Sequence, residues 1–259
     1  MPAGCDRGMP TIGLNGFQMY YEARGDGEPL LLLHGGMGIG SDWQHVFPSG
    51  PEGYRVIAPD LRGHGRSTNP AKAFTFRQCA SDVLALVDHL GIARVKAMGM
   101  SMGAKTLLHM ATADPARLEA MVLVSATPYF PQPLRTAAAQ FTRESFSLLS
   151  EAERDALRNR HVHGDEQILL LYDMTRSFAT SDNDMAFTPP RLATITARTL
   201  IVHGDRDPYY PVEMAMELFH GIPQSALWVV PYGTHGPIFG AMAPQFAATA
   251  LAHLSGGRP

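Results

Sequence analysis

Val95-Lys96-Ala97-Met98-Gly99-Met100-Ser101-Met102-Gly103-Ala104 is the segment from which the architecture of this chain can be read. Val95 to Met98 has the short apolar character of a strand, and the residues from about Ser101 to Ala113 have the pattern of a helix. Gly99-Met100-Ser101-Met102-Gly103, between them, matches G-x-S-x-G. So sharp a strand-to-helix turn projects the Ser101 hydroxyl above a sheet, and glycines at 99 and 103 remove side chains that would collide with neighbouring elements. The first N–H groups of the helix point at the same place and favour a developing negative charge. The plainer alternative makes Ser101 a helix cap and the glycines ordinary turn residues. The rest of the chain decides between them.

Outward from this segment, strands alternate with helices. Thr11 to Glu22 reads as a hairpin turning at Asn15-Gly16. Pro29 to Leu33 and Tyr54 to Ala58 are short continuous apolar runs, as expected of strands buried on both faces. Phe74 to Leu90 carries Cys79, Val83, Leu86, Val87 and Leu90 on one helical stripe, ended by Gly91. Further strands are expected at Leu118 to Val124, Thr199 to His203 and Leu227 to Val230, with helices at Val212 to His220 and about Ile238 to Leu254. The sum is an α/β fold, a mostly parallel central sheet of about eight strands flanked by helices. Residues 127–190 break the alternation: prolines open and close a stretch of helical patterns without a convincing strand. It reads as a helical cap inserted into a core of residues 1–126 and 191–259.

Composition sets bounds. The chain has 259 residues, 45% hydrophobic and 17% charged, with a formal net charge of −3, the profile of a globular protein with a sizeable core. No block of Lys and Arg offers a nucleic-acid surface. No apolar run approaches the ~20 residues needed to span a bilayer, and no signal-peptide pattern opens the chain. Two cysteines, Cys5 and Cys79, make no disulfide framework. A cytoplasmic enzyme acting on a small molecule, without nucleic-acid or membrane partners, is the expectation; oligomeric state is not readable.

Ligands of such sheets bind beyond the carboxyl ends of the strands. There the chain places His34-Gly35-Gly36-Met37, Asp60, Ser101, Ser125, Asp205 to Asp207, and His235. In these pieces the chain resembles the α/β-hydrolase superfamily, in its esterase-like branch with a cap after the sixth strand. The resemblance runs from about Thr11 to Leu254. It rests on His34 to Gly38, Pro59-Asp60-Leu61-Arg62-Gly63-His64-Gly65-Arg66-Ser67, Gly99 to Gly103, Gly204 to Pro211, and Gly233-Thr234-His235-Gly236. These motifs are specific for the fold and poorly specific for the substrate.

The resemblance implies roles. His235 occupies the position of the base that a serine nucleophile requires. The acid lies three residues beyond Gly204 and four before Pro211, which is Asp207; Asp205 is the other candidate and would otherwise make an Asx-turn. The order Ser101, Asp207, His235 is that of the family. The oxyanion donors are the backbone N–H of Met102 and that of Gly36 or Met37. His34 shapes the oxyanion loop. The expected substrate pocket takes in Met100, Tyr129, Met174 and Phe178, from a cap rich in aromatic residues.

The implied function is a serine hydrolase acting on a small carboxylic ester or related activated carbonyl substrate through an acyl-enzyme on Ser101. Hydrolysis of a C–C bond in a diketone-type substrate, lactone hydrolysis and cofactor-free peroxyacid formation use the same parts, and a ligand-binding protein with little turnover is the alternative of another class. Serine as nucleophile argues against epoxide and haloalkane hydrolysis, since relatives with those activities carry Asp there. A dinucleotide site at Gly36-Met37-Gly38 lacks its third glycine, where Ser41 stands. No metal or cofactor is expected; His161-Val162-His163 has no accompanying ligand pattern and reads as a solvated turn.

Overall fold

The computed structural model describes residues 11–257; Cys5 lies outside them. The strands are β1 (Thr11–Leu14), β2 (Phe17–Arg24), β3 (Glu28–Leu33), β4 (Tyr54–Pro59), β5 (Val95–Met100), β6 (Leu118–Val124), β7 (Arg198–Gly204) and β8 (Ser225–Val230). They form one sheet in the order β1-β2-β4-β3-β5-β6-β7-β8. The β1–β2 and β2–β4 pairs are antiparallel and the rest are parallel. Asn15 and Gly16 both take positive φ, at 45° and 78°, the conformation a two-residue hairpin turn requires.

The parallel strands bury both faces, which is why they read as continuous apolar runs. Leu31, Leu33, Ala97, Leu123 and Ile201 face one layer. The alternate residues Leu30, Leu32, Met98, Val122, Val124 and Val202 face the other. The first layer is covered by α1 (Phe76–His89) and α2 (Met102–Ala113). Thr75 caps α1, its side chain accepting from the Gln78 amide, and Cys79, Val83, Leu86 and Val87 form its buried stripe. Burial pushes the Cys79 thiol well above its ordinary value, and this cysteine is free.

Between β6 and β7 the chain forms α3 (Gln132–Ala138), α4 (Arg143–Ser147), α5 (Glu151–Arg160), α6 (Asp165–Ser177) and α7 (Pro189–Leu192). The two ends of this segment meet: Tyr129 and Ala186 form a bridge, and the Phe187 amide donates to the Pro128 carbonyl at 3.0 Å. After β7 come α8 (Val212–Gly221), β8 and α9 (Ala243–Leu254).

Two sequence expectations are corrected. The last helix begins at Ala243, not near Ile238. Gly240 takes φ 63° and opens a tight turn over Gly240–Met242, and Pro244 fits the first helical turn because its missing N–H would have no partner there anyway. His161 is not in a solvated turn but fully buried. Its Nδ1 accepts from the Gly65 amide at 3.0 Å, and its ring packs edge-on against His64. A buried imidazole of this kind disfavours a proton, and burial holds it down to about 4.

Loops around the sheet are fixed by buried polar residues. Asp60 accepts from the amides of Gly40 and Arg66, both at 2.8 Å. Both carboxylate oxygens are thereby occupied, so Asp60 is not free to hold a ribose as the dinucleotide reading requires. Asp82 on α1 receives a bidentate bond from Arg62 at 2.7 and 2.8 Å. It also accepts from Asn15 and Gln78, so one carboxylate ties the hairpin turn, the β4 loop and α1. No helix among the described residues is long and apolar enough to cross a membrane.

Candidate active site

The turn between β5 and α2 holds Ser101 at φ 48°, ψ −102°, a strained left-handed conformation for a residue with a side chain. Its geometry explains both glycines. A Cβ at Gly99 would lie 2.5 Å from the Gly103 backbone, and a Cβ at Gly103 would lie 2.2 Å from the Leu33 carbonyl oxygen. The turn is pinned from both sides: the Ser101 amide donates to the Val124 carbonyl at 2.8 Å, and the Gly103 amide to the His34 carbonyl at 3.0 Å. Ser101 is 8% exposed.

The loop after β8 brings His235 over this serine. Ser125, also at positive φ, anchors that loop by donating from Oγ to the His235 carbonyl at 2.8 Å. His235 Nε2 lies 2.9 Å from Ser101 Oγ, from which it accepts. His235 Nδ1 donates to Asp207 Oδ2 at 2.8 Å. The other Asp207 oxygen accepts from the amides of Tyr209 and Tyr210 at 2.9 and 3.1 Å. Asp207 therefore both partners the histidine and forms the Asx-type turn assigned from sequence to Asp205. Burial alone would push the Asp207 carboxyl up, but the His235 imidazole and the two amides hold it below its ordinary value. The edges of Tyr209 and Tyr210 pack against the His235 ring, with centroids 5.0 and 5.1 Å away.

The loop after β3 runs beside the serine. His34 is buried, donates from Nδ1 to the Gly35 carbonyl at 2.7 Å and accepts at Nε2 from the Leu61 amide at 2.9 Å. Both ring nitrogens are spent on backbone, which fits a neutral imidazole that shapes the loop; burial lowers its affinity for a proton. Met37 adopts φ 56°, and neither the Gly36 nor the Met37 amide has a backbone partner among the described residues. Met102 opens α2, where a helix leaves its first N–H groups unpaired. These are the amides expected to hold an oxyanion.

A cavity of about 210 Å³ connects these groups. Gly35, Gly36, Met37, Met100, Ser101, Met102 and His235 line it from the core, and Leu134, Ala138, Phe141, Met174 and Phe178 from the helical segment above. Three of the four expected pocket residues are present. Tyr129 is not: it is 39% exposed, and its hydroxyl donates to Glu217 at 3.0 Å outside the cavity. Lys105, Tyr209 and Tyr210 also line the cavity, and the sequence reading missed them. A signal existed for Lys105, which stands four residues after Ser101 on the same helix face and interrupts an otherwise apolar run. Among the described residues, no group of three or more His, Cys, Asp or Glu is placed to hold a metal ion.

The model of the α/β-hydrolase fold family matches residues 28–163. The chain belongs to the α/β-hydrolase family. Among curated relatives, it is 30% identical over 248 residues to a 2-hydroxy-6-oxononadienedioate/2-hydroxy-6-oxononatrienedioate hydrolase of Pseudomonas putida, covering 82% of this chain and 83% of the relative. It is 37% identical over 115 residues to a soluble epoxide hydrolase of a Corynebacterium species, a match covering 44% of this chain and 40% of the relative. Among solved structures, the meta-cleavage product hydrolase of Pseudomonas fluorescens aligns with a TM-score of 0.78 at 20% identity, over 95% of this chain and 97% of the other. This α/β-hydrolase thus shares its fold over nearly its whole length with an enzyme of low sequence identity.

Proposed function

We propose that this α/β-hydrolase uses Ser101 as nucleophile, His235 as general base and acid and Asp207 as the orienting carboxylate, and that it hydrolyses a C–C bond next to a ketone in an unsaturated keto acid. The observation that carries the serine mechanism is the continuous pair of hydrogen bonds, 2.9 Å from Ser101 to His235 and 2.8 Å from His235 to Asp207. The C–C reading, rather than the ester expected from sequence, is supported by the Pseudomonas putida relative, which matches over most of both chains.

In this mechanism His235 takes the proton of Ser101 as Oγ adds to the ketone carbon. The amides of Met102 and of Gly36 or Met37 receive the oxyanion. The dienol substrate reacts as its 2,6-diketo tautomer, the enol proton having moved to the carbon next to the ketone. The bond from the ketone carbon to that saturated neighbour then breaks, and the electron pair leaves as a dienolate conjugated with the remainder of the substrate. The leaving carbon takes the proton from His235. Water, deprotonated by His235, then cleaves the acyl-enzyme, giving a carboxylic acid and free Ser101. Residues 127–190 act as the cap that covers the cavity and excludes other water.

A second reading, hydrolysis of a small carboxylic ester, uses the same groups with an alkoxide as leaving group. The deciding assay sets a 2-hydroxy-6-oxo-dienoate, followed by loss of its conjugated absorbance, against p-nitrophenyl esters of graded acyl length. Faster turnover of the dienoate supports C–C hydrolysis, and faster ester turnover reverses the order of the two readings. Tight binding of either with negligible turnover would instead indicate a ligand-binding protein.

A further inference from the structure

The Ser101 cavity contains a buried amine that the mechanism above does not use. Lys105 is 2% exposed and lines the cavity that holds Ser101 and His235. Its Nζ donates to the Tyr210 hydroxyl at 2.5 Å. It makes no ion pair among the described residues, although Asp207 and Asp184 exert a longer-range pull on it. The rings of Phe76, Phe130, Phe178 and Tyr210 surround it with centroids 5.1, 5.8, 5.9 and 5.0 Å away. Aromatic faces tolerate a cation but satisfy none of its remaining N–H groups. A buried ammonium with donors to spare is costly unless a partner arrives.

We propose that Lys105, together with the Tyr210 hydroxyl, forms an anion subsite in the Ser101 cavity that binds a carboxylate carried by the substrate a few bonds from the reacting carbonyl. Lys105 stands four positions after Ser101, about 6 Å of helical rise, and the cavity of about 210 Å³ admits only a short connection between the two groups. The carboxylate accepts from Nζ and from the Tyr210 hydroxyl, and the water-poor wall strengthens both bonds. Lys105 is therefore a specificity-determining residue: it selects acids over their neutral analogues. The inference rests on the Ser101 reading of this cavity and narrows its substrate class.

The test uses two matched pairs of activated esters on the whole enzyme. One pair differs by a carboxylate on the acyl fragment (mono-p-nitrophenyl glutarate against p-nitrophenyl valerate). The other differs by one on the leaving fragment (4-acetoxybenzoate against phenyl acetate). The wild type is expected to prefer the acid in at least one pair. Lys105→Met is expected to reduce that preference on the order of 10–100-fold, chiefly through KM. No acid preference in either pair, or equal loss on acid and neutral members, overturns the subsite. Binding is read separately by calorimetry on Ser101→Ala protein, with glutarate against glutaramide. Selective glutarate binding that disappears when Lys105→Met is added supports the subsite; equal binding of the two overturns it. This second measurement needs no turnover. If no ester is hydrolysed, the subsite is still judged by calorimetry, and the Ser101 nucleophile is judged on the dienoate, where turnover that survives Ser101→Ala refutes it.

Discussion

Single side chains decide the chemistry. Ser101→Ala should lower kcat on the order of 10⁶ while the protein still folds, and near-wild-type turnover would refute the nucleophile. Asp207→Asn keeps the shape but reverses the donor and acceptor facing His235 Nδ1, so a loss on the order of 10⁴ in kcat is expected. Lys105 carries a prediction of opposite sign for stability. Burial lowers it from 10.5 to about 7, so between these values the unfolded chain binds more protons than the folded one. Stability is therefore lost as pH falls toward 7 and regained as it rises toward 10.5. Lys105→Met should raise the melting temperature, most at pH 7 and below and progressively less toward pH 10. A gain that is the same at every pH would disprove the linkage. Stability gained at the expense of recognition is a common pattern at binding sites.

The turn between β5 and α2 was legible from sequence because sterics leave its glycines no substitutes. Gly103→Ala would push a methyl group into the Leu33 carbonyl, 2.2 Å from where its Cβ must lie. It should cost about 1–3 kcal/mol by denaturant titration and reduce kcat by displacing Ser101. The strands were equally legible, because burial on both faces makes them apolar throughout. The last helix was misplaced at its start because the apolar pattern of Ile238 and Phe239 continues through a turn that the positive φ of Gly240 interrupts. His161 was misread for a different reason. Its environment is made by Gly65 and His64, which lie far away in sequence, and no local pattern announces such a partner. Tyr210 was missed likewise, since its meeting with Lys105 joins α2 to the β7 loop, whereas Lys105 itself was legible from its place one turn after Ser101.

Across the molecule, rigidity depends on a few buried charges. Arg62 and Asp82 have side chains only 4% and 1% exposed. Arg62→Met leaves the Asp82 carboxylate buried without its countercharge, a loss of about 3–5 kcal/mol in urea unfolding. Adding Asp82→Leu should recover much of it, whereas no recovery would show that the pair does more than neutralise itself. The segment above the cavity is tied down by a buried neutral amide instead, Gln167 donating to the carbonyls of Gly63 and Gly65, each at 3.0 Å.

The bridge between Tyr129 and Ala186 pairs the two ends of that segment with each other, outside the sheet. Entry and exit are in register, so the segment resembles an exchangeable cassette more than a threaded loop. A gene could trade everything between those two residues for a relative's version without moving β6 or β7. Change in what the enzyme accepts and preservation of how it cleaves could then proceed on separate evolutionary clocks.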